Sequence, residues 1–226
     1  MPAKGILSDA EIEALVERTL AHGGLVSHKT NPDGTQSVYE LNITLFDALS
    51  NPRADEPEER RIDRFMVSQA IMLAMAGVPG IYVHSLVGSS NNLRGVQETG
   101  RPRTINRQKW RQAELEAALA DPASRARRVF RRYRRLLRAR RAHPAFHPNG
   151  RQSILFGEPG IFALWRTTPD EREHVLCLHN VTSRPQTFSA PSQPLSDLIS
   201  GQTHPSNRPI SLAPYQSLWL AKSAAR

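Results

Sequence analysis

The sequence predicts an α/β protein: the C-terminal part of a (β/α)₈ TIM barrel followed by a small antiparallel β domain. Three observations predict it. Between Asp63 and Arg107 an apolar helical run (Phe65 to Met75) breaks at Gly77-Val78-Pro79-Gly80 and passes into Ile81-Tyr82-Val83-His84-Ser85. A polar loop follows and closes on Gly100-Arg101-Pro102-Arg103-Thr104-Ile105-Asn106-Arg107. Helix, break, short buried strand and long polar loop form one αβ unit of such a barrel, whose chemistry sits on the loops after the strands. Second, the hydrophobic period changes from helical to two beyond Gly150. Third, the chain has 226 residues, whereas a whole barrel of this kind takes about 250 by itself. The expected domains are therefore 1–148, an incomplete barrel part, and 149–226, the β domain.

Each element has its own signal. Ser8-Asp9-Ala10-Glu11 is a capping box, and Ile12, Leu15, Val16 and Leu20 then form a helical stripe that stops at Gly23-Gly24. Leu25-Val26-Ser27 and Ser37-Val38-Tyr39 flank a turn at Asn31-Pro32-Asp33-Gly34, which predicts a hairpin. Leu41 to Leu49 is expected to be extended or a short turn, and Asn51 to Glu59 a charged loop. Ile62 to Ala76 has apolar residues nearly all round, the mark of a buried helix. Val78 to Val83 is expected to be a short buried strand, with Pro79 at its start. Ser85 to Trp110 reads as loop, Gln112 to Leu119 as helix, and Pro122 opens a helix that runs to about Arg141. Gln152 to Phe156, Ile161 to Arg166, Val175 to Val181, Thr187 to Ala190, Pro209 to Leu212 and Ser217 to Ala221 are the expected strands of the β domain.

The net charge of +9 raises the question of nucleic acid. Ten arginines fall between Arg125 and Arg141, but Val129, Phe130, Tyr133, Leu136 and Leu137 make one apolar stripe among them. The arginines are thus expected to be the solvated faces of an ordinary amphipathic helix. With no base-stacking aromatics or known module beside them, a nucleic-acid partner is disfavoured. No apolar run reaches the ~18 residues of a membrane span, and Met1-Pro2-Ala3-Lys4-Gly5 lacks the apolar stretch of a signal peptide. The single cysteine, Cys177, is expected in a strand core. These features fit a cytoplasmic protein, in which the sequons at Asn42 and Asn180 are chance matches.

Several segments together resemble the sucrose-phosphorylase-like branch of the α-amylase superfamily, glycoside hydrolase family 13. They are Tyr39-Glu40-Leu41-Asn42-Ile43-Thr44, Pro79-Gly80-Ile81-Tyr82, Gly100-Arg101, Ile105-Asn106-Arg107 and the closing Leu212-Ala213-Pro214-Tyr215-Gln216-Ser217-Leu218-Trp219-Leu220. Order, spacing and two-domain layout agree from about Gly5 to Leu220. The resemblance implies a retaining glycoside phosphorylase that moves a glucosyl group from an α-glucoside to phosphate, giving glucose 1-phosphate. Phosphate is then a co-substrate, and neither a metal nor an organic cofactor is implied. Sucrose phosphorylases tend to carry glutamine where Glu40 stands, so the pattern is closer to the glucosylglycerate or glucosylglycerol phosphorylases.

Retaining chemistry needs two carboxylates about 5–5.5 Å apart, and the family adds a third that stabilises the transition state, in a His-Asp pair. No His-Asp dipeptide exists in this sequence, and by motif the other two carboxylates lie on strands upstream of it, so no catalytic residue is assigned. The resemblance places Arg107 at the glucosyl site, with pairing to a local acid as the alternative. Tyr39 and Glu40 match the acceptor-side loop, unless Glu40 is merely a solvent-facing hairpin residue. Asn106 is expected to organise its loop through backbone hydrogen bonds, His84 to pack or to touch sugar, and Trp110 to anchor the loop or stack on a sugar. Glu40, Asp47 and Glu98 are the loop carboxylates that could in principle pair into a site of their own. The expected partners are the glucoside and phosphate, with an N-terminal polypeptide to complete the barrel. A split, truncated or late-started gene product, a non-catalytic complementation module and a relic are the competing readings.

Overall fold

The computed structural model describes residues 5–157, 159–189 and 192–222. In chain order the helices and strands are α1 (Asp9–Ala21), β1 (Leu25–Thr30), β2 (Gln36–Asn42), α2 (Leu45–Leu49), α3 (Glu58–Ala74), α4 (Val83–Leu86), α5 (Leu93–Thr99), α6 (Gln112–Ala120) and α7 (Arg125–Ala142). Then come β3 (Arg151–Leu155), β4 (Ile161–Thr167), β5 (His174–Asn180), β6 (Gln186–Phe188), β7 (Leu195–Asp197), β8 (Thr203–His204), β9 (Ile210–Leu212) and β10 (Ser217–Lys222). Short 3₁₀ turns occupy Pro102–Asn106 and Pro144–Phe146. The chain groups into two compact units. One is built from the residues up to Arg61 with Tyr82–Arg128, the other from Ile62–Ile81 with Val129 onward.

In the first unit the capping box forms as the sequence implies. The Ser8 amide donates to the Glu11 carboxylate at 2.8 Å, and the Glu11 amide returns a bond to Ser8 Oγ at 3.3 Å. The hairpin β1–β2 is antiparallel, with a register shift between Ser27 and His28, and Gly34 takes the left-handed conformation (φ 81°) its turn requires. Residues 41–49 resolve into the end of β2 and then α2, whose N-cap Thr44 accepts from the Asp47 amide at 3.3 Å. The expected strand from Val78 to Val83 does not form. Residues 78–82 carry no regular structure, Val83 opens α4, and Val78 and Tyr82 are 83% and 51% exposed. A strand exists only through its ladder, no described strand pairs with this segment, and Pro79 withholds a donor. Part of the expected loop from Ser85 to Trp110 is instead helical, as α5 and the 3₁₀ turn at Pro102–Asn106. Asn92 caps α5 by accepting from the Gly95 amide at 3.0 Å, a local bond the polar composition concealed.

In the second unit a six-stranded antiparallel sheet has the order β3-β4-β5-β10-β7-β8, and β6 pairs separately with β9. Strand β10 lies inside the sheet, with Leu218, Trp219 and Leu220 buried. Ile161, Leu176, Leu178, Leu195, Ile210, Leu212, Leu218 and Leu220 form one core. The short strands β7 and β8 escaped the sequence reading because neither is long enough to show a period. The Thr187–Ala190 strand is found at Gln186–Phe188, and Ala190 lies outside the described residues, as do Met1–Lys4. Phe156, expected within a strand, follows β3 and is 92% exposed. Cys177 is fully buried and free in β5, and burial pushes its thiol well above the usual range. Asn42 and Asn180, the two sequon asparagines, are buried.

Helices α3 and α7 account for the arginines. Val129, Tyr133 and Leu136 are buried along the predicted stripe, and Phe130 and Leu137 partly so. Not all the arginines face only water. In the first unit Arg125 pairs with Glu58, and Arg128 with Glu59 at 2.9 Å. In the second, Arg132 reaches Asp63 at 2.6 Å, the Tyr133 hydroxyl donates to Gln69, and Arg140 donates to the Leu73 carbonyl. In this unit the pairs climb both helices in step, so α3 and α7 run in the same direction. Their mutual acids and bases were too far apart in sequence to be matched by helical periodicity.

Candidate functional site

The site is a concavity in the first unit, held by the α4 turn and the 3₁₀ turn at Pro102–Asn106. An enclosed part of about 190 Å³ is lined by Ile43 to Phe46, Tyr82, His84, Ser89 and Asn106. A more open part shares Tyr82, His84 and Asn106 and adds Arg107 and Gln108. His84, Asn106 and Arg107 are thus brought together. Tyr39 and Glu40 line neither part: Tyr39 is 56% exposed, and Glu40 is engaged by Arg103 at 3.1 Å.

The parts hold one another through main-chain bonds. The Asn92 amide donates to the Ile105 carbonyl at 2.7 Å, tying the 3₁₀ turn to the start of α5. Tyr82 Oη donates to the Asn106 carbonyl at 3.1 Å, and Asn106 Nδ2 to the Ile43 carbonyl at 3.4 Å. Asn106 is thus tied to Tyr82 and to the main chain at Ile43. Its Oδ1 is buried without a hydrogen-bond donor among the described residues, which leaves an acceptor beside the cavity. Arg107 follows the turn, its amide bonded to the Thr104 carbonyl at 3.1 Å while its side chain is exposed. A five-donor guanidinium placed so can span two sugar hydroxyls or a carboxylate. Among the described residues no ion pair holds it.

His84 is packed into its turn and also lines the concavity. It is buried, Nδ1 lies 3.0 Å from Ser89 Oγ, and the Tyr82 ring meets it edge-on at 5.0 Å. Burial pushes its pKa below the ordinary value, opposed by the Gln108 main chain, so the imidazole is neutral at pH 7. It can then both donate and accept. Tyr82 was not singled out, although it stands in the Pro-Gly-Ile-Tyr step. Read as a strand residue it had no reason to face a cavity, and only the failure of that strand turns it outward. Trp110 is half-buried with an unpaired buried Nε1 and lines neither part of the concavity.

The three carboxylates expected in loops stand instead in β2, α2 and α5, and each is spoken for. Glu40 pairs with Arg103, Glu98 with Arg94 at 2.7 Å, and Asp47 lies 3.7 Å from Arg61. Asp47 is buried. Its Oδ2 accepts from the Asn91 amide at 2.7 Å, and Arg125 and Arg61 lie over the adjoining Phe46 ring at 4.2 and 5.5 Å. Burial pushes its carboxyl upward against the pull of the Asn91 amide and the two arginines. It ties α2 to the loop before α5. No pair of these acids shares a cavity.

Over 97% of its length the chain is 47% identical to a glucosylglycerate phosphorylase from Allomeiothermus silvanus, and 37% identical to one from Escherichia coli. By sequence, the chain resembles glucosylglycerate phosphorylases and, at lower identity, a sucrose 6(F)-phosphate phosphorylase from Ilumatobacter coccineus. It spans 38% of the length of each of those two relatives. The sucrose 6F-phosphate phosphorylase from Thermoanaerobacter thermosaccharolyticum shares the fold over 93% of this chain and 37% of that one, with a TM-score of 0.63 at 18% identity. A pullulanase from Bacillus acidopullulyticus matches 80% of this chain and 23% of its own, with a TM-score of 0.60 at 15% identity. No protein-family model matches the chain. The shared architecture is a mixed α/β arrangement with a β-sheet unit.

Proposed function

We propose that this chain is the C-terminal portion of a retaining glycoside phosphorylase that transfers a glucosyl group from glucosylglycerate to phosphate. The observation that carries the reading is the 47% identity to a glucosylglycerate phosphorylase along 97% of the chain. In this reading residues 1–148 are the end of a (β/α)₈ barrel and 149–226 its β domain. The parallel course of α3 and α7, with the segment at residues 78–82 following α3 in the chain, supports this, since successive barrel helices run the same way around a strand. An N-terminal polypeptide would supply the neighbouring strands, against which that segment would become the missing strand, and the carboxylates of the reaction. Phosphate is a co-substrate, with no metal or organic cofactor, and the setting is the cytoplasm. No helix among the described residues is long and apolar enough to cross a membrane.

Chemically, the chain contributes binding and not bond cleavage. Arg107 would hold the glucosyl unit, helped by neutral His84 and the unpaired Asn106 Oδ1. Glu40 and Tyr39, outside the concavity, would meet the acceptor, with Arg103 as a cationic neighbour of a carboxylate-bearing acceptor such as glycerate. The test joins this chain downstream of the N-terminal part of the Allomeiothermus silvanus relative and compares glucosylglycerate, glucosylglycerol and sucrose in phosphorolysis. Glucosylglycerate should be favoured by tenfold or more in kcat/KM, about 1.4 kcal/mol. A preference for sucrose would refute the acceptor assignment.

A further inference from the structure

A second concavity, of about 430 Å³, lies on one face of the β sheet in the second unit, and nothing in the proposed reaction uses it. Its floor is built by sheet register. Arg151 stands opposite Thr167, and Thr167 opposite His174, while Lys222 stands opposite Leu195. One step along the sheet, Ser153 stands opposite Trp165. Residues opposite one another in an antiparallel ladder share a face, so Arg151, Thr167, His174, Ser153 and Trp165 present their side chains together. The lining holds two permanent cations and an imidazole, and no carboxylate among the described residues. Thr167 Oγ1 fixes the His174 ring through Nδ1 at 3.1 Å, leaving Nε2 toward other partners. Trp165 packs one side against the core beneath and lends the rest of its indole to the concavity, so the platform is rigid.

We propose that this concavity binds a phosphorylated monosaccharide. Arg151 and Lys222 would take the phosphate, a group matched by a guanidinium fork and an ammonium. The indole of Trp165 gives a pyranose ring a flat apolar surface, and Ser153 and Thr167 give its hydroxyls partners. The volume suits one small ligand. A nucleic-acid strand would need a cationic track longer than this one concavity. Among the described residues Arg151 pairs with exposed Glu171 at 3.2 Å, a pairing that a doubly charged phosphate can displace. The proposal stands apart from the activity proposed above, because an inactive joined enzyme would leave the site intact.

The test is a ¹⁹F titration of the 226-residue chain labelled with 5-fluorotryptophan, with the Trp165 signal assigned through Trp165→Phe. Glucose 1-phosphate, glucose and inorganic phosphate are the probes. Glucose 1-phosphate should shift the Trp165 signal saturably, and Arg151→Gln or Lys222→Gln should weaken it by tenfold or more. Arg107→Ala should leave it unchanged. Repeating the titration on the joined protein keeps the result decisive if the chain alone self-associates. No saturable shift, a shift indifferent to both charge substitutions, or equal affinity for inorganic phosphate or glucose would overturn the proposal.

Discussion

At the scale of single residues, Arg107 and Glu40 are assigned different tasks, and kinetics can separate them. In the joined protein Arg107→Ala should depress turnover with every glucosyl donor, because it serves the unit that all donors share. Glu40→Gln should instead shift the ratio of kcat/KM between acceptors and spare hydrolysis of the donor. An equal fall in all activities would reduce Glu40 to a hairpin residue paired with Arg103. The sequence reading singled out Arg107 and Asn106 because they stand in a short motif at a loop end. The link between Glu40 and Arg103 was not legible, since no period connects a hairpin to a distant 3₁₀ turn. His179 yields a pH prediction of another kind. It is fully buried in β5, with Nδ1 2.9 Å from Ser217 Oγ, and burial pushes its pKa down to about 3. The unfolded chain therefore binds a proton below about pH 6.5 that the folded chain refuses, and stability should fall as pH drops from there toward 3. His179→Gln, which keeps one hydrogen-bond partner for Ser217, should flatten that slope between pH 6.5 and 4 in thermal melts. An unchanged slope would show that His179 is already charged in the fold.

At the scale of elements, the C-terminus of α3 explains Arg140, which the sequence reading left on a solvated helix face, and Arg166, at the end of an expected strand. Arg140 donates to the Leu73 carbonyl and to the Gly77 carbonyl at 2.8 Å, and Arg166 to the Ala74 carbonyl at 3.2 Å and the His147 carbonyl at 2.8 Å. Helix ends leave carbonyls without intrahelical partners, and cations there also meet the negative end of the dipole. Arg166 is completely buried in β4. Arg166→Met keeps the volume but strands those carbonyls, so it should cost about 1–3 kcal/mol in urea melts. A loss within about 0.5 kcal/mol would show that the carbonyls find other donors. Sequence reading found the long helices and the long strands because each spans enough residues to show its period. It missed α5, β7 and β8, which do not, and it took Val78 to Val83 for a strand from its place between a helix with a Gly/Pro break and a polar loop.

At the scale of the whole molecule, the chain carries several exposed apolar groups. Val78 and Ile6 are each 83% exposed, Phe156 is 92% exposed, and Tyr82, Val83 and Leu93 are about half exposed. Such surface favours association. The chain alone should therefore show concentration-dependent assembly in sedimentation velocity, and joining it to an N-terminal part should suppress this. A monodisperse monomer with one sharp melt would count against a missing neighbour. The change of period at Gly150 marks where the β strands of the second unit begin. The compact units divide the chain differently, grouping residues 62–81 and 129–148 with the sheets, because burial of α3 and α7 follows side-chain packing and not the order of elements. The central claim is that this chain supplies sugar contacts to a reaction whose carboxylates lie elsewhere. Its most direct measurement is glucose 1-phosphate formation from glucosylglycerate and phosphate, by the isolated chain and by the joined protein under the same conditions. The account predicts no activity from the isolated chain and turnover from the joined protein that Arg107→Ala depresses. Glucose 1-phosphate made by the purified isolated chain, and abolished by replacing one of its own carboxylates, would contradict it.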